Sequence, residues 1–297
     1  MNLSDISKDS KANNFNEDMK SPFEDIHAFN HSDPKNIRDT TVRNIPKAVP
    51  STKLTSDNSY NIPNDDDYND SIALQVENIS KVFDSPAGRF VALRKINFKI
   101  RKGEFVSIVG PSGSGKSTLL NIIGALDRPS YGKLFINNVD FFSLNNSQIA
   151  SIRNNLVGFI FQSYNLINRT TVLKNVEIPG IIAGMGRKER HFRALKLLEM
   201  LGIRDKANQK PVSLSGGQQQ RVAIARSLIN NPAIILADEP TGNLDTKTGN
   251  EVFDLLKLLS NKYRRTIILV THNPELAKET DRTIHIRDGG VEMDIAR

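Results

Sequence analysis

The chain has 297 residues, of which 38% are hydrophobic and none is cysteine. The lack of cysteine excludes disulfides, thiolate metal sites and a cysteine nucleophile. Residues 1–70 carry 8 basic and 13 acidic side chains, so the chain's net charge of +7 leaves +12 on residues 71–297. This positive charge suits anionic partners such as nucleotides, a lipid surface or nucleic acid. The alternative is that the basic residues only make the surface more soluble.

Residues 1–70 are rich in Asn, Ser and Asp and end in the acidic run Asn64–Asp70. They show neither the two-residue period of a strand nor the 3.6-residue period of a helix, which predicts a disordered polar extension. It is either a solvated tail or an interaction segment. The N-terminus lacks the basic start and apolar run of a signal peptide, and no stretch approaches 18 apolar residues. We therefore expect a protein that is soluble or associates with a membrane only through a partner.

The folded part is predicted to begin at Ile72 with short strands at residues 72–76, 89–93 and 96–100. An apolar strand at residues 105–109 runs directly into a glycine-rich loop and a helix. Further strands are predicted at residues 132–137, 156–161, 233–238, 266–271 and 283–288, with helical periodicity at residues 171–202 and 248–259. Buried strands that alternate with helices indicate an α/β fold with a mostly parallel sheet covered on both faces.

The loop GPSGSGKST, Gly110–Thr118, fits the phosphate-loop pattern G-x-x-x-x-G-K-[ST]. Its glycines let successive N–H groups and the positive end of the following helix face bound phosphates. Lys116 is expected to reach the β- and γ-phosphates of a nucleotide, and the Ser117 hydroxyl to ligate Mg²⁺.

Four more polar residues follow apolar strands. Asp238 and Glu239 end one strand, Gln162 follows another and His272 a third. Because the carboxyl ends of parallel strands meet at one sheet edge, we expect these side chains beside the phosphate loop. Asp238 is predicted to hold the metal, Glu239 to polarise the attacking water, and the Gln162 amide to contact both. The alternative is that these are solvated polar residues at strand ends.

A second glycine-rich stretch, LSGGQQQRVAIARSL at residues 214–228, precedes a predicted helix. Ser215 and Gln218 fit a capping box, which by itself requires no ligand. Two glycines in a first helical turn nevertheless cost about 0.8–1 kcal/mol each relative to alanine. Gly216 and Gly217 are therefore expected where something approaches the backbone too closely for a Cβ, and a phosphate at the helix N-terminus is the natural candidate.

These motifs resemble, in type and order, those of the ATP-binding cassette (ABC) ATPases, and the resemblance covers Ile72–Arg297. Gln162 matches the Q-loop glutamine, residues 214–218 the signature, Leu244–Asp245 the D-loop and His272 the H-loop. The resemblance implies a P-loop NTPase core with an antiparallel β-subdomain and a helical subdomain at about residues 163–215. It assigns ATP contacts to Phe83, on adenine, and to the phosphate loop at Gly110, Pro111, Ser112, Gly113, Ser114, Gly115, Lys116, Ser117 and Thr118.

The same resemblance implies that two cassettes meet head to tail, with each ATP between one chain's phosphate loop and the other's signature. The signature residues on the partner's ATP would be Ser215, Gly216, Gly217 and Gln218, with the D-loop residue Asp245 nearby. The implied catalytic residues are Glu239 as general base, His272 on the γ-phosphate, Gln162 and Lys116. The implied Mg²⁺ ligands are Ser117, Gln162 and Asp238.

More narrowly, the sequence is similar to the macrolide-export, lipoprotein-release and bacteriocin-export branch, whose cassettes drive a separate permease. We therefore expect a peripheral ATPase at the cytoplasmic face of the membrane, with the permease docked near residues 162–183 and no nucleic-acid partner. Asn168 and Lys174 replace a proline and a glutamate common in that region. Two alternatives remain: a cell-division-type cassette that signals through a permease-like protein without transport, and a soluble cassette acting on ribosomes or DNA.

Overall fold

The structure, a computed structural model, describes residues 71–86 and 88–297. The predicted disordered extension, residues 1–70, lies outside the described residues. The strands, numbered β1 to β10, are Ile72–Ser85, Gly88–Arg101, Phe105–Val109, Tyr131–Ile136, Val139–Asp140, Val157–Phe161, Ile234–Asp238, Thr266–Val270, Arg282–Arg287 and Gly290–Ala296. The α-helices, numbered α1 to α7, are Lys116–Ile123, Asn146–Leu156, Val172–Ile182, Arg187–Met200, Gly216–Leu228, Thr246–Asn261 and Pro274–Lys278.

Strands β2, β1, β4 and β5 form an antiparallel sheet in that order. The sequence predicted two strands where β2 is continuous. The pairing of β1 with β2 shifts register between Ile79 and Lys81, opposite Lys95, which has a positive φ of 46°. Such a bulge interrupts the alternation of apolar and polar residues without ending the strand. This is why the pattern indicated two short strands.

The second sheet has six strands in the order β10-β9-β3-β8-β7-β6. Strands β9, β3, β8, β7 and β6 are parallel, and β10 pairs antiparallel with β9 at the edge. The predicted parallel sheet is confirmed. The predicted helical section 171–202 is two helices, α3 and α4, separated around Gly184, whose φ is +76°. The sequence analysis missed β5, β10, α2 and α7.

Helix α1, which follows the phosphate loop, contributes four buried side chains to the core. They join residues of both sheets in one hydrophobic cluster, which includes Leu74 and Leu93 from the antiparallel sheet and Ile108 and Ile284 from the parallel sheet. This packing fixes the phosphate loop relative to both sheets. No helix within residues 71–86 and 88–297 has the length and apolar character needed to cross a membrane. The division into subdomains at about residues 163–215 stays a prediction, although α3 and α4 fall within that range.

Candidate functional site

The carboxyl ends of four parallel strands form one row. Ile108 of β3 lies opposite Val270 of β8, which lies opposite Asp238 of β7, which lies opposite Phe161 of β6. The chain leaves β8, β7 and β6 directly after this row and leaves β3 one residue later. The structure therefore places the phosphate loop, His272, Asp238, Glu239 and Gln162 along one sheet edge, where open α/β sheets bind ligands.

Two glycines of the phosphate loop are enforced by close neighbours. A Cβ on Gly110 would lie 2.1 Å from the carbonyl oxygen of Ile286, and a Cβ on Gly115 would lie 2.7 Å from that of Ala92. Gly115 also has a φ of 103° and immediately precedes α1. The loop is thus pressed between β2 and β9, and its backbone wraps the helix N-terminus, a geometry suited to phosphate.

The Lys116 ammonium lies over this loop. Its Nζ donates to the carbonyl oxygens of Gly110 at 2.8 Å and Pro111 at 2.9 Å. A cation held at the N-terminus of a helix concentrates positive charge at one point of the sheet edge. The arrangement is chemically suited to binding a polyphosphate.

The adjacent acids Asp238 and Glu239 occupy different environments. Burial, and next the charge of Glu239, raises the pKa of Asp238, and the charge of Lys116 partly offsets this rise. Glu239 has a positive φ of 46°, which for a residue with a Cβ costs on the order of 1–2 kcal/mol. The turn directs its carboxylate toward Thr271 and His272. Neither acid is therefore a freely solvated residue at a strand end.

Glu239 and His272 contact each other directly. Nδ1 of His272 lies 2.8 Å from Oε1 of Glu239, whose side chain is only 17% exposed, while the His272 side chain is 74% exposed. The other side of the imidazole is thus open to solvent at the sheet edge. The sequence placed both residues at this edge but gave no indication of this contact, which orients the carboxylate.

Gln162 is tied to the loop that follows Glu239. Its Nε2 donates to Oδ1 of Asn243 at 3.1 Å, and Nδ2 of Asn243 donates to the backbone oxygen of Gln162 at 3.0 Å. A Cβ on Gly242 would lie 2.7 Å from Gln162 Nε2, so a larger residue there would displace the amide from its present position. Asn243 was missed in the sequence analysis because its partner is 81 residues away.

Helix α5 begins with the predicted capping box. Gln218 N donates to Ser215 Oγ at 3.3 Å, and Ser215 N donates to Gln218 Oε1 at 3.1 Å. The close approach expected at the glycines comes from this same chain. A Cβ on Gly216 would lie 2.8 Å from the Tyr164 hydroxyl, and one on Gly217 would lie 2.3 Å from Cγ2 of Thr248. Internal packing therefore already accounts for both glycines, so the glycines alone do not argue for a bound phosphate, and the phosphate contact stays a prediction.

Gly217→Ala is expected to lower the melting temperature, because overpacking of this kind costs about 1–3 kcal/mol. Thr248→Ser removes the methyl group and keeps the hydroxyl that bonds to Asp245. In that background Gly217→Ala should stabilise the protein by up to about 1 kcal/mol, through helix propensity alone. Calorimetry of the four proteins without nucleotide measures this reversal. The same sign in both backgrounds would show that the Thr248 methyl is not the cause.

Asp245, the predicted D-loop residue, is the N-cap of α6. Its Oδ1 accepts from Thr248 N at 3.1 Å, and its hydrogen bonds with Thr248 hold its pKa below the usual range. The preceding Leu244 lies against the first turn of α5, 3.0 Å from the position of a Cβ on Gly216. The signature, the D-loop and the segment after Gln162 therefore form one packed group.

Phe83, the predicted adenine contact, lies near the β1–β2 turn and is 42% exposed. Nζ of Lys81 lies 4.9 Å from its ring centroid and is itself held by Asp127. Phe90, 60% exposed, pairs directly opposite Phe83, so the two side chains share one face of the sheet. The sequence analysis missed Phe90.

The predicted Mg²⁺ ligands supply a hydroxyl from Ser117, an amide oxygen from Gln162 and a carboxylate from Asp238. These are the oxygen donors that Mg²⁺ prefers alongside substrate phosphates and water. Among the described residues no group of three His, Asp or Glu side chains is arranged to hold a metal without such help. The donor set therefore fits a metal that arrives with a nucleotide.

Comparison with known proteins finds a matching family model and similar curated proteins. Residues 93–242 match the family model described as ABC transporter. An uncharacterised ABC transporter ATP-binding protein of Thermotoga maritima is 49% identical over 219 residues, covering 74% of this chain and 93% of that protein. A macrolide export ATP-binding/permease protein of Bartonella henselae is 51% identical over 74% of this chain, but this match spans only 33% of that longer protein.

Two solved structures have the same fold. The dimeric structure of the ABC transporter cassette MJ0796, from Methanocaldococcus jannaschii, is 47% identical with a TM-score of 0.69, covering 75% of this chain and 98% of that one. A dimeric post-hydrolysis state of the same cassette, bound to ADP and phosphate, matches at 46% identity with a TM-score of 0.69.

Proposed function

Because this chain belongs to the ABC transporter family of ATP-binding cassettes, we propose that it is the ATPase subunit of a membrane transport complex. It would bind Mg-ATP and dimerise head to tail. The similar cassette MJ0796 forms a dimer and has been seen with ADP and phosphate, which supports both hydrolysis and dimerisation here.

One observation carries the proposal of a shared site: the first turn of α5, which carries the signature, lies three strands away from the phosphate loop along the parallel sheet. The loop follows β3, whereas the first turn of α5 packs on Tyr164, just after β6. Strands β8 and β7 lie between β3 and β6, which corresponds to about 14 Å at the usual strand spacing. An ATP on the phosphate loop would therefore need its second phosphate contact from another copy.

Each residue at the edge has a proposed role. Lys116 and the amides of Gly110–Thr118 would hold the β- and γ-phosphates, and Phe83 would stack on adenine. Glu239, oriented by His272, would accept the proton of the attacking water, and the exposed side of His272 would face the γ-phosphate. Mg²⁺, held by Ser117, Asp238 and Gln162, would neutralise charge on the phosphates. Ser215, Gly216, Gly217 and Gln218 would contact the partner's γ-phosphate.

The membrane partner would dock on the segment 162–183. Three large apolar side chains are exposed there, Ile167 at 48%, Ile181 at 52% and Ile182 at 67%. Ile181 and Ile182 are adjacent at the end of α3, and neighbouring exposed apolar side chains support a surface that another protein covers. The macrolide-export relative is named as an ATP-binding/permease protein, which supports a permease partner for this chain and a peripheral position at the cytoplasmic face of the membrane.

A dilution series of the purified chain tests the shared site. Because two chains complete each site, the ATP hydrolysis rate per chain should rise with protein concentration and saturate once the dimer forms. It should also require Mg²⁺. Light scattering shows at which concentrations the protein is a monomer. A hydrolysis rate per chain that stays constant over a hundredfold dilution into the monomeric range would contradict a site shared between two copies.

A further inference from the structure

The turn that carries Gln162 has an unusual backbone. Directly after Gln162 and Ser163, both Tyr164 and Asn165 have positive φ values, 57° and 50°. Asparagine tolerates this region, but tyrosine adopts it only when its surroundings hold it there. We call residues 162–165 the Q-turn. Its conformation needs an external support.

Arg226 provides that support from the last turn of α5. Its Nη2 donates to the carbonyl oxygen of Tyr164 at 2.8 Å, and its Nη1 donates to that of Asn165. Burial lowers the pKa of this guanidinium. An arginine nevertheless keeps its charge at any ordinary pH. The two guanidinium nitrogens thus bind the carbonyl groups of both positive-φ residues of the Q-turn, with the fixed fork geometry that only arginine offers.

The Tyr164 side chain makes a second contact with the same helix. Its hydroxyl lies against the first turn of α5, 2.8 Å from the position of a Cβ on Gly216. The Q-turn is therefore attached to α5 at both ends, through Arg226 near the C-terminus and Tyr164 near the signature. A shift of the Q-turn cannot leave α5 in place without breaking one of these contacts.

We propose that Arg226 is a positioning residue that makes the Q-turn and the signature helix move as one body. This inference rests on the proposed function and adds a connection between the two sites of the dimer. Gln162 reports on the metal and phosphate of the chain's own ATP, and α5 carries Ser215 to the partner's ATP. Arg226 transmits the first event to the second.

A different arginine of α5 provides the comparison. Arg221 donates to the carbonyl oxygen of Leu201, the C-cap of α4, and to Glu251 of α6, and neither residue belongs to the Q-turn. Substitutions of Arg221 and Arg226 can therefore distinguish an arginine that only stabilises α5 from one that positions the Q-turn. Arg221→Met removes contacts of similar number without touching the Q-turn.

The experiment uses Arg226→Met, Arg226→Lys and Arg221→Met in the full chain. Arg226→Met is expected to raise two midpoints about tenfold: the Mg²⁺ concentration for half-maximal ATP hydrolysis and the ATP concentration for half-maximal dimerisation. A tenfold change is a typical size for coupling between two sites. Dimerisation is followed in the Glu239→Gln background. Arg226→Lys should be intermediate, because one ammonium does not match both carbonyls. Arg221→Met should lower the melting temperature and change neither midpoint by more than about twofold.

Combining Arg226→Met with Gln162→Ala tests whether Arg226 acts through Gln162. If Arg226 acts through Gln162, Arg226→Met should have no further effect on the Mg²⁺ midpoint in a Gln162→Ala chain. Unchanged midpoints in Arg226→Met, whatever its melting temperature, would overturn the proposal. If that variant does not fold, unchanged midpoints in Arg226→Lys would overturn it equally. A Glu239→Gln parent that fails to dimerise with ATP would instead count against the proposed function.

Discussion

Glu239→Gln is expected to reduce ATP turnover by about 10³-fold while leaving ATP binding intact. Gln has nearly the same shape and can keep a hydrogen bond to His272, which lies 2.8 Å away, but it cannot accept the proton of the attacking water. Removal of a general base typically costs 10²- to 10⁴-fold. Under the proposed function ATP holds the dimer together until it is hydrolysed, so the variant should also accumulate as an ATP-bound dimer.

Phosphate release measures the turnover, and size-exclusion chromatography with ATP measures the dimer. Glu275→Gln is the matched control, since Glu275 is an exposed carboxylate of α7 whose ion-pair partner is Lys278. It should hydrolyse ATP at nearly the wild-type rate and show no trapped dimer. A Glu239→Gln chain that keeps more than a tenth of the wild-type rate would remove Glu239 from the role of general base.

Ser215→Asp is expected to leave ATP binding by the monomer unchanged and to prevent ATP-driven dimerisation. Aspartate caps helices as well as serine does, and its charge favours the N-terminus of α5, so the fold should be kept. The same charge would face the partner's γ-phosphate. Repulsion between two charges about 4 Å apart near a protein surface is roughly 4 kcal/mol, enough to weaken the dimer at least about 100-fold.

Asn145→Asp controls for this change, because Asn145 caps α2 with the same kind of capping box and Gln148 three residues later. Both substitutions place an aspartate at a helix N-cap, and only one of them lies in the signature. A fluorescent ATP analogue measures binding by the monomer, and light scattering of Glu239→Gln chains measures dimerisation. Normal dimerisation of the Ser215→Asp chain would mean that the signature does not contact the partner's nucleotide.

The phosphate loop, the strand-end acids and the parallel sheet could all be predicted because each depends on a local pattern. The continuous strand β2 could not, since its bulge at Lys95 breaks the alternation that identifies strands. The reason for Gly216 and Gly217 was also beyond the sequence. The atoms that exclude a Cβ belong to Tyr164 and Thr248, which approach from other segments of the chain.

The sequence by itself determined the chemistry: glycines that free the backbone, a lysine and hydroxyls for phosphates, and acids at strand ends. These features follow from residue type and near-neighbour spacing, which a linear pattern records directly. Only the tertiary structure decided which of these groups touch. The contact of His272 with Glu239 spans 33 residues, and that of Arg226 with the Q-turn spans 61 and 62. Such contacts depend on strand order and helix packing, because the free energy that fixes them comes from burial across the whole core rather than from local conformational preference.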